Sequence, residues 1–315
     1  MVVVAVAGGT GGLGKTIVQE LRLHGSHHTC YVLGRKAPKD ATFGSASFVQ
    51  VDYADVVSLT KILEDHHIDT VISTINLETD AGSEAQLNLI AAADHSRVTR
   101  RFIPSEFVHV INEDSSTSDP TMAGWASNAR ALKKTRLEYI RISNGLFSDY
   151  WGLPHIESNL WPLHWFLDIE KGLAAIPGTG DERFTVTYSK DFALVLLKLL
   201  DVEERWPERL YLSGSDITLN ELVAHAEKIR GSKIRVIYDP VEKLERGDVT
   251  LLWQPDDVPE EQFKPFFVGL CQMILAGHYL LPKDSDWLAA KFPDLHLTTA
   301  NEVLDRAWKG KEFAT

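Results

Sequence analysis

The sequence has 315 residues and a formal net charge of −12, with 44% hydrophobic and 24% charged residues. These proportions are ordinary for a soluble globular protein, and the length allows one large domain or two coupled ones. The acidic balance argues against a nucleic-acid partner, because phosphate backbones are bound by clustered Lys and Arg. No apolar run approaches the length of a membrane span, so no membrane partner is expected.

Two cysteines, Cys30 and Cys271, each lie in an apolar stretch. We expect buried free thiols rather than a disulfide, which is typical of a reducing compartment. The N-terminus lacks the basic start and the cleavage site of a signal peptide. The expected location is therefore the cytoplasm.

Short apolar runs alternate with helical patterns through the first 150 residues. They predict strands at residues 2–7, 30–33, 48–51, 71–75, 102–103 and 139–142. Helices are predicted at about residues 15–23, 55–65, 82–94 and 123–134. Strict alternation indicates βαβ units, and hence an α/β fold with a doubly wound parallel sheet of the Rossmann type.

The pattern changes after Asn144, where residues 147–175 are rich in aromatic side chains and proline. Further on, the sequence predicts a strand at 184–188, a helix at 191–200 and a strand at 210–212, and a capping box (Thr-Leu-Asn-Glu) predicts a helix that ends before Gly231. Residues 241–315 are predicted to be irregular apart from an apolar helical run at 266–281. We predict a Rossmann core from residues 1–146 and 182–238, and a smaller C-terminal substrate-binding region from 147–181 and 239–315.

A glycine-rich turn separates the first predicted strand from the first helix. Gly9, Gly11 and Gly14 fit the dinucleotide fingerprint G-x-G-x-x-G, and Gly8, Gly11 and Gly14 fit the wider spacing G-x-x-G-x-x-G. Residues 9–16 also spell the triphosphate P-loop G-x-x-x-x-G-K-T. Backbone N–H groups at a helix N-terminus bind phosphate in both kinds of site, so the turn alone leaves both open.

The residues after the second strand help to distinguish the two kinds of site. An acidic residue there binds the ribose 2′-hydroxyl of NAD, whereas a basic residue accommodates a 2′-phosphate. Here the strand is followed by Arg35 and Lys36. They predict NADP(H) rather than NAD(H), unless they are merely solvated turn residues. A P-loop enzyme would need an aspartate for Mg²⁺ at a strand end, which Asp52 fits loosely.

Several segments together resemble one known family. They are Val-Ala-Gly-Gly-Thr-Gly-Gly-Leu-Gly at 6–14, Gly-Arg at 34–35, Val-Asp-Tyr at 51–53, Val-Ile-Ser-Thr-Ile at 71–75, Arg-Phe-Ile-Pro-Ser-Glu-Phe at 101–107, Asn-Gly-Leu-Phe-Ser-Asp-Tyr-Trp at 144–151 and Gly-Thr-Gly-Asp at 178–181. In this order they resemble the NmrA-like and isoflavone-reductase-like group of atypical short-chain dehydrogenases, particularly its fungal members.

The resemblance implies an NADP(H)-binding domain and a C-terminal region that closes over a small-molecule substrate. It implies a pyrophosphate at the glycine turn, a 2′-phosphate at the basic pair, adenine beside the Val-Asp-Tyr segment, and nicotinamide near the Pro-Ser-Glu-Phe segment. The implied cofactor residues are Gly8, Thr10, Gly11, Gly12, Leu13, Gly14, Arg35, Lys36, Asp52, Tyr53, Thr74, Ile75, Pro104, Ser105, Phe107 and Phe147.

One departure from the family concerns its catalytic lysine, which lies on the helix after the Pro-Ser-Glu-Phe strand. Counting back from Phe147 without a gap places Trp125 at that position, and a three-residue deletion places Asn128 there. Neither side chain carries an ammonium group. Lys133, one to two turns further along, would substitute only if the helix started later; as a helix C-terminal lysine it also has an ordinary structural explanation.

Other candidates for a proton donor are His109, Tyr150 and His155. A positioned acid contributes about 10²- to 10⁴-fold to such a reaction. Glu106 is either a substrate contact or a buried hydrogen-bonded carboxylate. The adjacent histidines at 27–28 and 66–67 lack carboxylate or cysteine partners at ligand spacing, so no metal site is expected.

The leading hypothesis is an NADPH-dependent reductase of a small apolar metabolite, aromatic or polycyclic and of the secondary-metabolism kind, working as a monomer or a homodimer. The aromatic residues of 147–166 motivate this substrate class, because ring-lined clefts suit apolar ligands. The missing lysine motivates an alternative, an NADP(H)-binding protein without net redox turnover, such as a redox-sensing regulator, an isomerase or a cyclase. A magnesium-dependent P-loop NTPase is the third hypothesis.

Overall fold

A computed structural model describes residues 1–37, 46–113, 122–283 and 286–313. The chain forms two compact units, one of Met1–Ser143 with Phe192–Leu210 and one of Asn144–Asp191 with Tyr211–Thr315. Residues 182–191 and 211–238, which we predicted in the Rossmann core, pack within the second unit. The division of labour between a cofactor-binding part and a substrate-binding part stays a prediction.

The elements follow the predicted order of strands and helices in the first unit. The strands are β1 (Val3–Ala7), β2 (Thr29–Gly34), β3 (Ser47–Gln50), β4 (Thr70–Ser73), β5 (Arg101–Ile103), β6 (Glu138–Tyr139), β7 (Arg141–Ser143), β8 (Leu146–Phe147), β9 (Leu167–Asp168), β10 (Leu173–Pro177), β11 (Phe184–Thr187), β12 (Arg209–Tyr211), β13 (Ser215–Ile217) and β14 (Arg235–Asp239). The helices are α1 (Gly12–His24), α2 (Val56–Asp65), α3 (Asp80–His95), α4 (Ala123–Leu132), α5 (Asp149–Gly152), α6 (Ser189–Leu200), α7 (Leu219–Arg230), α8 (Val241–Glu245), α9 (Glu260–Leu275), α10 (Asp286–Lys291) and α11 (Ala300–Trp308).

The first unit contains a six-stranded parallel sheet in the order β3-β2-β1-β4-β5-β6. Val4 pairs with Cys30 of β2 on one side and with Thr70 of β4 on the other. The strand order reverses between β1 and β4, and ligands of such sheets bind outside the carboxyl ends at that point. The predicted doubly wound α/β fold is confirmed.

Alternate residues of β1 point to opposite faces of the sheet, and helices cover both faces. Ala5 and Ala7 belong to the buried cluster that contains Leu59 of α2 and Leu89 of α3. On the other face, the side chains of Val6, Val18 and Val32 converge beside Gly9. A strand buried on both sides has to be apolar throughout, which explains the unbroken run at the start of the chain.

Two boundaries differ from the predicted ones. Helix α1 starts at Gly12, three residues earlier than predicted, directly after its N-cap Gly11. The predicted strand at 139–142 divides at Ile140: the Ile140 N–H donates to Phe102 of β5, whereas the Arg141 N–H donates to Glu208. The chain therefore leaves the central sheet, and β7 pairs with β12.

The second unit is built around an aromatic core. The Trp151 indole N–H donates to the Trp165 carbonyl at 2.9 Å, and the Trp308 indole N–H donates to the Trp151 carbonyl at 2.6 Å. Phe166 stacks on Phe267 of α9 at 5.2 Å between ring centroids. The aromatic residues that follow the first unit in sequence therefore pack a core of their own.

The prediction that residues 241–315 are irregular was wrong, since this segment forms α8, α9, α10 and α11. Helix α11 has a capping box in which the Thr299 and Glu302 side chains bond each other's backbone N–H groups. Helix α9 covers Glu260–Leu275 rather than 266–281; it ends before Gly277, whose φ of 77° is left-handed. The predicted box of Thr218 and Glu221 caps α7.

Cys30 and Cys271 are free thiols, as predicted. Burial raises the pKa of both, that of Cys30 to about 12, so both remain protonated at neutral pH. Within the described ranges, no helix has the length and apolarity required to cross a bilayer.

Candidate functional site

The glycine turn brings α1 very close to β1 and β4. A Cβ on Gly14 would lie 2.4 Å from the Gly8 carbonyl oxygen and 2.5 Å from the Thr74 hydroxyl, so only glycine fits. Gly8 has a φ of 80° and donates its N–H to the Leu33 carbonyl at 3.1 Å. The turn is thus fixed by backbone contacts on the side that faces the protein.

The outward side of the same turn is open. A Cβ on Gly11 or Gly12 would have no neighbouring atom within 4 Å. Gly11 is the N-cap of α1, and its position leaves the first N–H groups of the helix accessible. An open backbone at a helix N-terminus fits a pyrophosphate group.

The P-loop reading does not fit this geometry. Because α1 starts at Gly12, Lys15 lies inside the first turn of the helix and is exposed to solvent. The Thr16 side chain, which would bind Mg²⁺ in a P-loop, is only 1% exposed. The turn therefore has the dinucleotide spacing, and the Thr16 hydroxyl that a P-loop would present to Mg²⁺ is buried.

A cleft of about 510 Å³ opens at the carboxyl ends of β1, β2 and β4. Of the predicted cofactor residues, seven line it: Gly8, Thr10, Arg35, Asp52, Tyr53, Thr74 and Ile75. The sequence predicted this set from four separate segments, and the sheet brings them together because parallel strands end at one edge.

The opposite wall of the cleft comes from the start of α3 and was not predicted. It contributes Asn76, Thr79, Ala81, Gly82, Glu84, Ala85 and Asn88. The Asn88 amide donates to the Tyr53 carbonyl at 3.0 Å, which links α3 to the segment after β3. The sequence did contain a signal for this wall. Its residues follow β4 directly, and connections at the carboxyl ends of strands line such sites.

The remaining predicted cofactor residues do not line this cleft: Gly11, Gly12, Leu13, Gly14, Lys36, Pro104, Ser105, Phe107 and Phe147. Gly14 is buried in the turn, and Phe107 packs edge-on against Phe192 at 4.7 Å between centroids. Phe147 belongs to the second unit and is 9% exposed. Contacts of these residues with a cofactor stay predictions.

The polar side chains of the cleft differ in their exposure and in their hydrogen bonds within the protein. Arg35 is exposed at the rim, and Asp52 accepts the Ala54 N–H at 2.9 Å. Tyr53 is buried and donates its hydroxyl to the Leu33 carbonyl at 3.1 Å. Burial raises the Tyr53 pKa, so this side chain is a neutral wall, and Arg35 is the cation available to an anionic ligand.

A buried ion-pair network holds the loop after β5. Both Glu106 oxygens accept from the Arg141 Nε, at 2.7 and 2.9 Å. Arg141 also pairs with Glu113 at 2.9 Å, and Glu113 pairs with Lys133 and Arg209. Of the two readings of Glu106, the buried hydrogen-bonded carboxylate is the one observed, since its side chain is 2% exposed.

The two carboxylates of this network titrate in opposite directions. Burial raises the Glu106 pKa to about 7, against the opposing effect of Arg141. Burial also acts on Glu113, but its backbone hydrogen bond and the charges of Arg141, Lys133 and Arg209 outweigh it and lower the Glu113 pKa to about 2. Glu113 therefore carries the permanent negative charge.

The inward face of α4 carries Asn128, one of the two residues that the resemblance aligned with the family's lysine. Asn128 is fully buried and donates to the Ser83 hydroxyl at 2.9 Å and the Gly124 carbonyl at 2.8 Å. Its carbonyl accepts from Gln86, which in turn accepts the Ser105 N–H at 2.9 Å. Trp125, the other aligned residue, packs in an apolar cluster with Leu77 and Ile111. Helix α4 contains no lysine.

Of the three candidate catalytic residues, Lys133 and His109 belong to the first unit and Tyr150 to the second. Lys133 caps α4, is 59% exposed and pairs with Glu113 at 3.2 Å, which favours its structural interpretation. His109 is 7% exposed, between two half-buried valines. Tyr150 lies in the second unit, where its ring is 5.0 Å from that of Trp165. A catalytic role for any of them stays a prediction.

From the sequence we expected no metal site at the histidine pairs, because they lack carboxylate partners at ligand spacing. For one pair this premise is wrong. Asp201, 174 residues away from His27, accepts at 2.9 Å from the His27 ring. Its carboxylate also lies 3.4 Å from the Nε2 of His28. One of the two pairs therefore has a carboxylate partner after all.

Comparison with known proteins identifies the family. The model of the NmrA-like family matches residues 2–261. The chain belongs to the NmrA-like family. It is 34% identical over 233 residues to Oxidoreductase BOA1 of Botryotinia fuckeliana, covering 74% of this chain and 77% of that one.

Two solved structures share the fold of this NmrA-like protein. One is the binary complex of leucoanthocyanidin reductase with NADPH from Vitis vinifera, with a TM-score of 0.73, 18% identity and coverage of 96% of this chain and 98% of that one. The other is AtPrR2 with NADP⁺ and (+)pinoresinol, with a TM-score of 0.72, 20% identity and coverage of 96% and 97%. The resemblance deduced from the motifs is thereby confirmed.

Substitutions at two glycines test which side of the turn is packed against the protein. We expect Gly14→Ala to reduce the free energy of unfolding by about 1–3 kcal/mol, because its methyl group overlaps the Gly8 carbonyl. Gly11→Ala should cost less than about 1 kcal/mol, because the methyl group has free space in the unliganded turn. Urea unfolding measures both, and equal losses would contradict the assigned geometry.

Removal of Arg141 tests the buried network. Arg141→Met should reduce the free energy of unfolding by about 3–5 kcal/mol, because it leaves the buried Glu106 carboxylate without a partner. The loss should grow between about pH 6 and pH 8, since the unpaired carboxyl is more readily tolerated when protonated. Lys133→Met removes an exposed partner of Glu113 and should cost less than about 1 kcal/mol. Similar losses in the two variants would refute the interpretation.

Proposed function

We propose that this protein is an NADPH-dependent reductase of a small apolar metabolite, aromatic or polycyclic. The observation that carries the proposal is the glycine turn with its open outward face, together with a cleft that Gly8, Thr10 and Arg35 line. Relatives named oxidoreductases and NADPH complexes of the same fold support it.

In this proposal, each part of the cofactor has a counterpart in the first unit. The open backbone of Gly11 and Gly12 would bind the pyrophosphate at the N-terminus of α1. Arg35 would bind the 2′-phosphate, and Asp52 and Tyr53 would flank the adenine. Bound NADPH supplies a hydride, and the protein residues supply its position.

The substrate class is supported by the second unit. Tyr150, Trp165 and Phe266 form a ring cluster, with centroids 5.0 Å apart for the first pair and 6.2 Å for the second. Phe266 is 44% exposed, so part of this aromatic surface is accessible to a ligand. Ring-lined surfaces suit aromatic ligands, and one solved neighbour was determined with (+)pinoresinol.

A second candidate function rests on the inward face of α4. Asn128, fully buried and committed to three hydrogen-bond partners, provides no proton and no positive charge. The protein could then bind NADP(H) without net redox turnover, as a redox-sensing regulator or as an isomerase. Incubation with NADPH and a panel of aromatic ketones and enones separates the two. Stoichiometric NADPH oxidation supports the reductase, and tight binding without oxidation supports the alternative.

Substitution of Arg35 tests the cofactor assignment. We expect Arg35→Ala to weaken NADPH binding by about one to two decades, because a charge-assisted hydrogen bond contributes about 1.5–3 kcal/mol. NADH, which has no 2′-phosphate, should bind both proteins equally. Isothermal titration calorimetry measures both affinities, and Arg22→Ala, an exposed arginine on α1, is the matched control. Unchanged NADPH affinity in Arg35→Ala would contradict the assignment of Arg35 to the 2′-phosphate.

A further inference from the structure

Two adjacent histidines and a distant aspartate converge at one place in the first unit. His27 and His28 lie between α1 and β2, and Asp201 follows α6. The Asp201 Oδ1 lies 2.9 Å from the His27 Nε2 and 3.4 Å from the His28 Nε2. In the part of the chain that the structure describes, this is the group of His, Cys, Asp and Glu side chains whose ligand atoms all lie within 4.8 Å of one another.

The direction of the His28 ring distinguishes this cluster from ordinary hydrogen bonding. The His28 side chain is 1% exposed, and its Nε2 is buried without a hydrogen-bond partner. This nitrogen is near the Asp201 oxygen, but their geometry is not that of a donor aimed at an acceptor. In a tetrahedral site with bonds of about 2.0–2.2 Å, adjacent ligand atoms are about 3.3–3.6 Å apart. The 3.4 Å between the Asp201 Oδ1 and the His28 Nε2 matches this separation, whereas the 2.9 Å between the Asp201 Oδ1 and the His27 Nε2 is a hydrogen bond that an ion would replace.

We propose that His27, His28 and Asp201 form a binding site for a divalent transition-metal ion of the Zn²⁺ class, with water as the fourth ligand. Imidazole and carboxylate donors suit this class of ion. The site lies before β2, at the amino ends of the strands, whereas the cleft lies at their carboxyl ends. The ion would link the α1–β2 loop to the end of α6 within one unit, and so its effect is on stability rather than on the reaction.

One hydrogen bond of His28 limits the affinity of the site for the ion. The Val2 N–H donates to the His28 Nδ1 at 3.3 Å, so the metal-free ring carries its proton on Nε2. Binding through Nε2 moves that proton to Nδ1 and breaks the Val2 contact. We therefore expect micromolar affinity rather than the tighter binding of four-ligand structural sites.

The test is calorimetric titration of the tag-free, chelator-treated full-length protein with ZnCl₂. We expect one Zn²⁺ per chain, and saturating Zn²⁺ should raise the midpoint of thermal unfolding. His27→Ala and Asp201→Asn alter exposed side chains that the fold does not need, and each should weaken binding by more than about tenfold. Neither variant should show the Zn²⁺-dependent rise in the unfolding midpoint.

The other adjacent histidine pair provides the control. His67→Asn removes an exposed imidazole, and asparagine tolerates the left-handed backbone at this position, where φ is 53°. This variant should bind Zn²⁺ as the unmodified protein does. The proposal is overturned by the absence of one-to-one binding, by binding that survives in both His27→Ala and Asp201→Asn, or by equal loss in His67→Asn.

Discussion

The contact of Gly14 with the Gly8 carbonyl and the Thr74 hydroxyl is the constraint on which the first unit depends. It joins the N-terminus of α1 to β1 and β4, the two strands between which the sheet order reverses. A methyl group at Gly14 would force these elements apart, because the nearest atoms include backbone. The close approach also directs the open side of the turn, at Gly11 and Gly12, away from the protein and toward the position of a phosphate.

A second constraint fixes the loop after β5, and it is electrostatic. Glu106 is removed from water and keeps its charge only beside Arg141, which is buried as well. Buried pairs of this kind contribute little net stability, but loss of one partner is costly. The network therefore specifies the path of the Pro-Ser-Glu-Phe segment more than it strengthens the fold. Its members come from β7, β12 and the end of α4 as well as from the loop itself.

Helix α4 differs from what the family resemblance implied, because it contains no lysine. Its inward face presents Asn128, which connects through Gln86 to the Ser105 N–H. This relay positions the segment after β5 with neutral hydrogen bonds. A proton donor for reduction would have to come from another residue, and the alternative without net redox follows from the same observation.

Much of the fold could be predicted from the sequence because its signals are local. The apolar run at β1, the glycine spacing and the capping box of Thr218 and Glu221 each act within a few residues. The same holds for Arg35 after β2, whose place in the cleft follows from strand direction alone. Helices α8 and α10 were missed because they have only five and six residues, too few for a clear periodic signal. Helix α11 does have a local signal, the capping box of Thr299 and Glu302, which the sequence analysis overlooked.

The sequence by itself determined the alternation of strands and helices, the phosphate-binding turn and the basic residue that favours a 2′-phosphate. Only the tertiary structure decided which distant residues meet: Asn88 of α3 with Tyr53, Arg141 with Glu106, and Asp201 with the two histidines. Backbone geometry and hydrophobic periodicity depend on residues that are close together in the sequence. Partners 35 to 174 positions apart are chosen by packing of the whole unit, which no local pattern records.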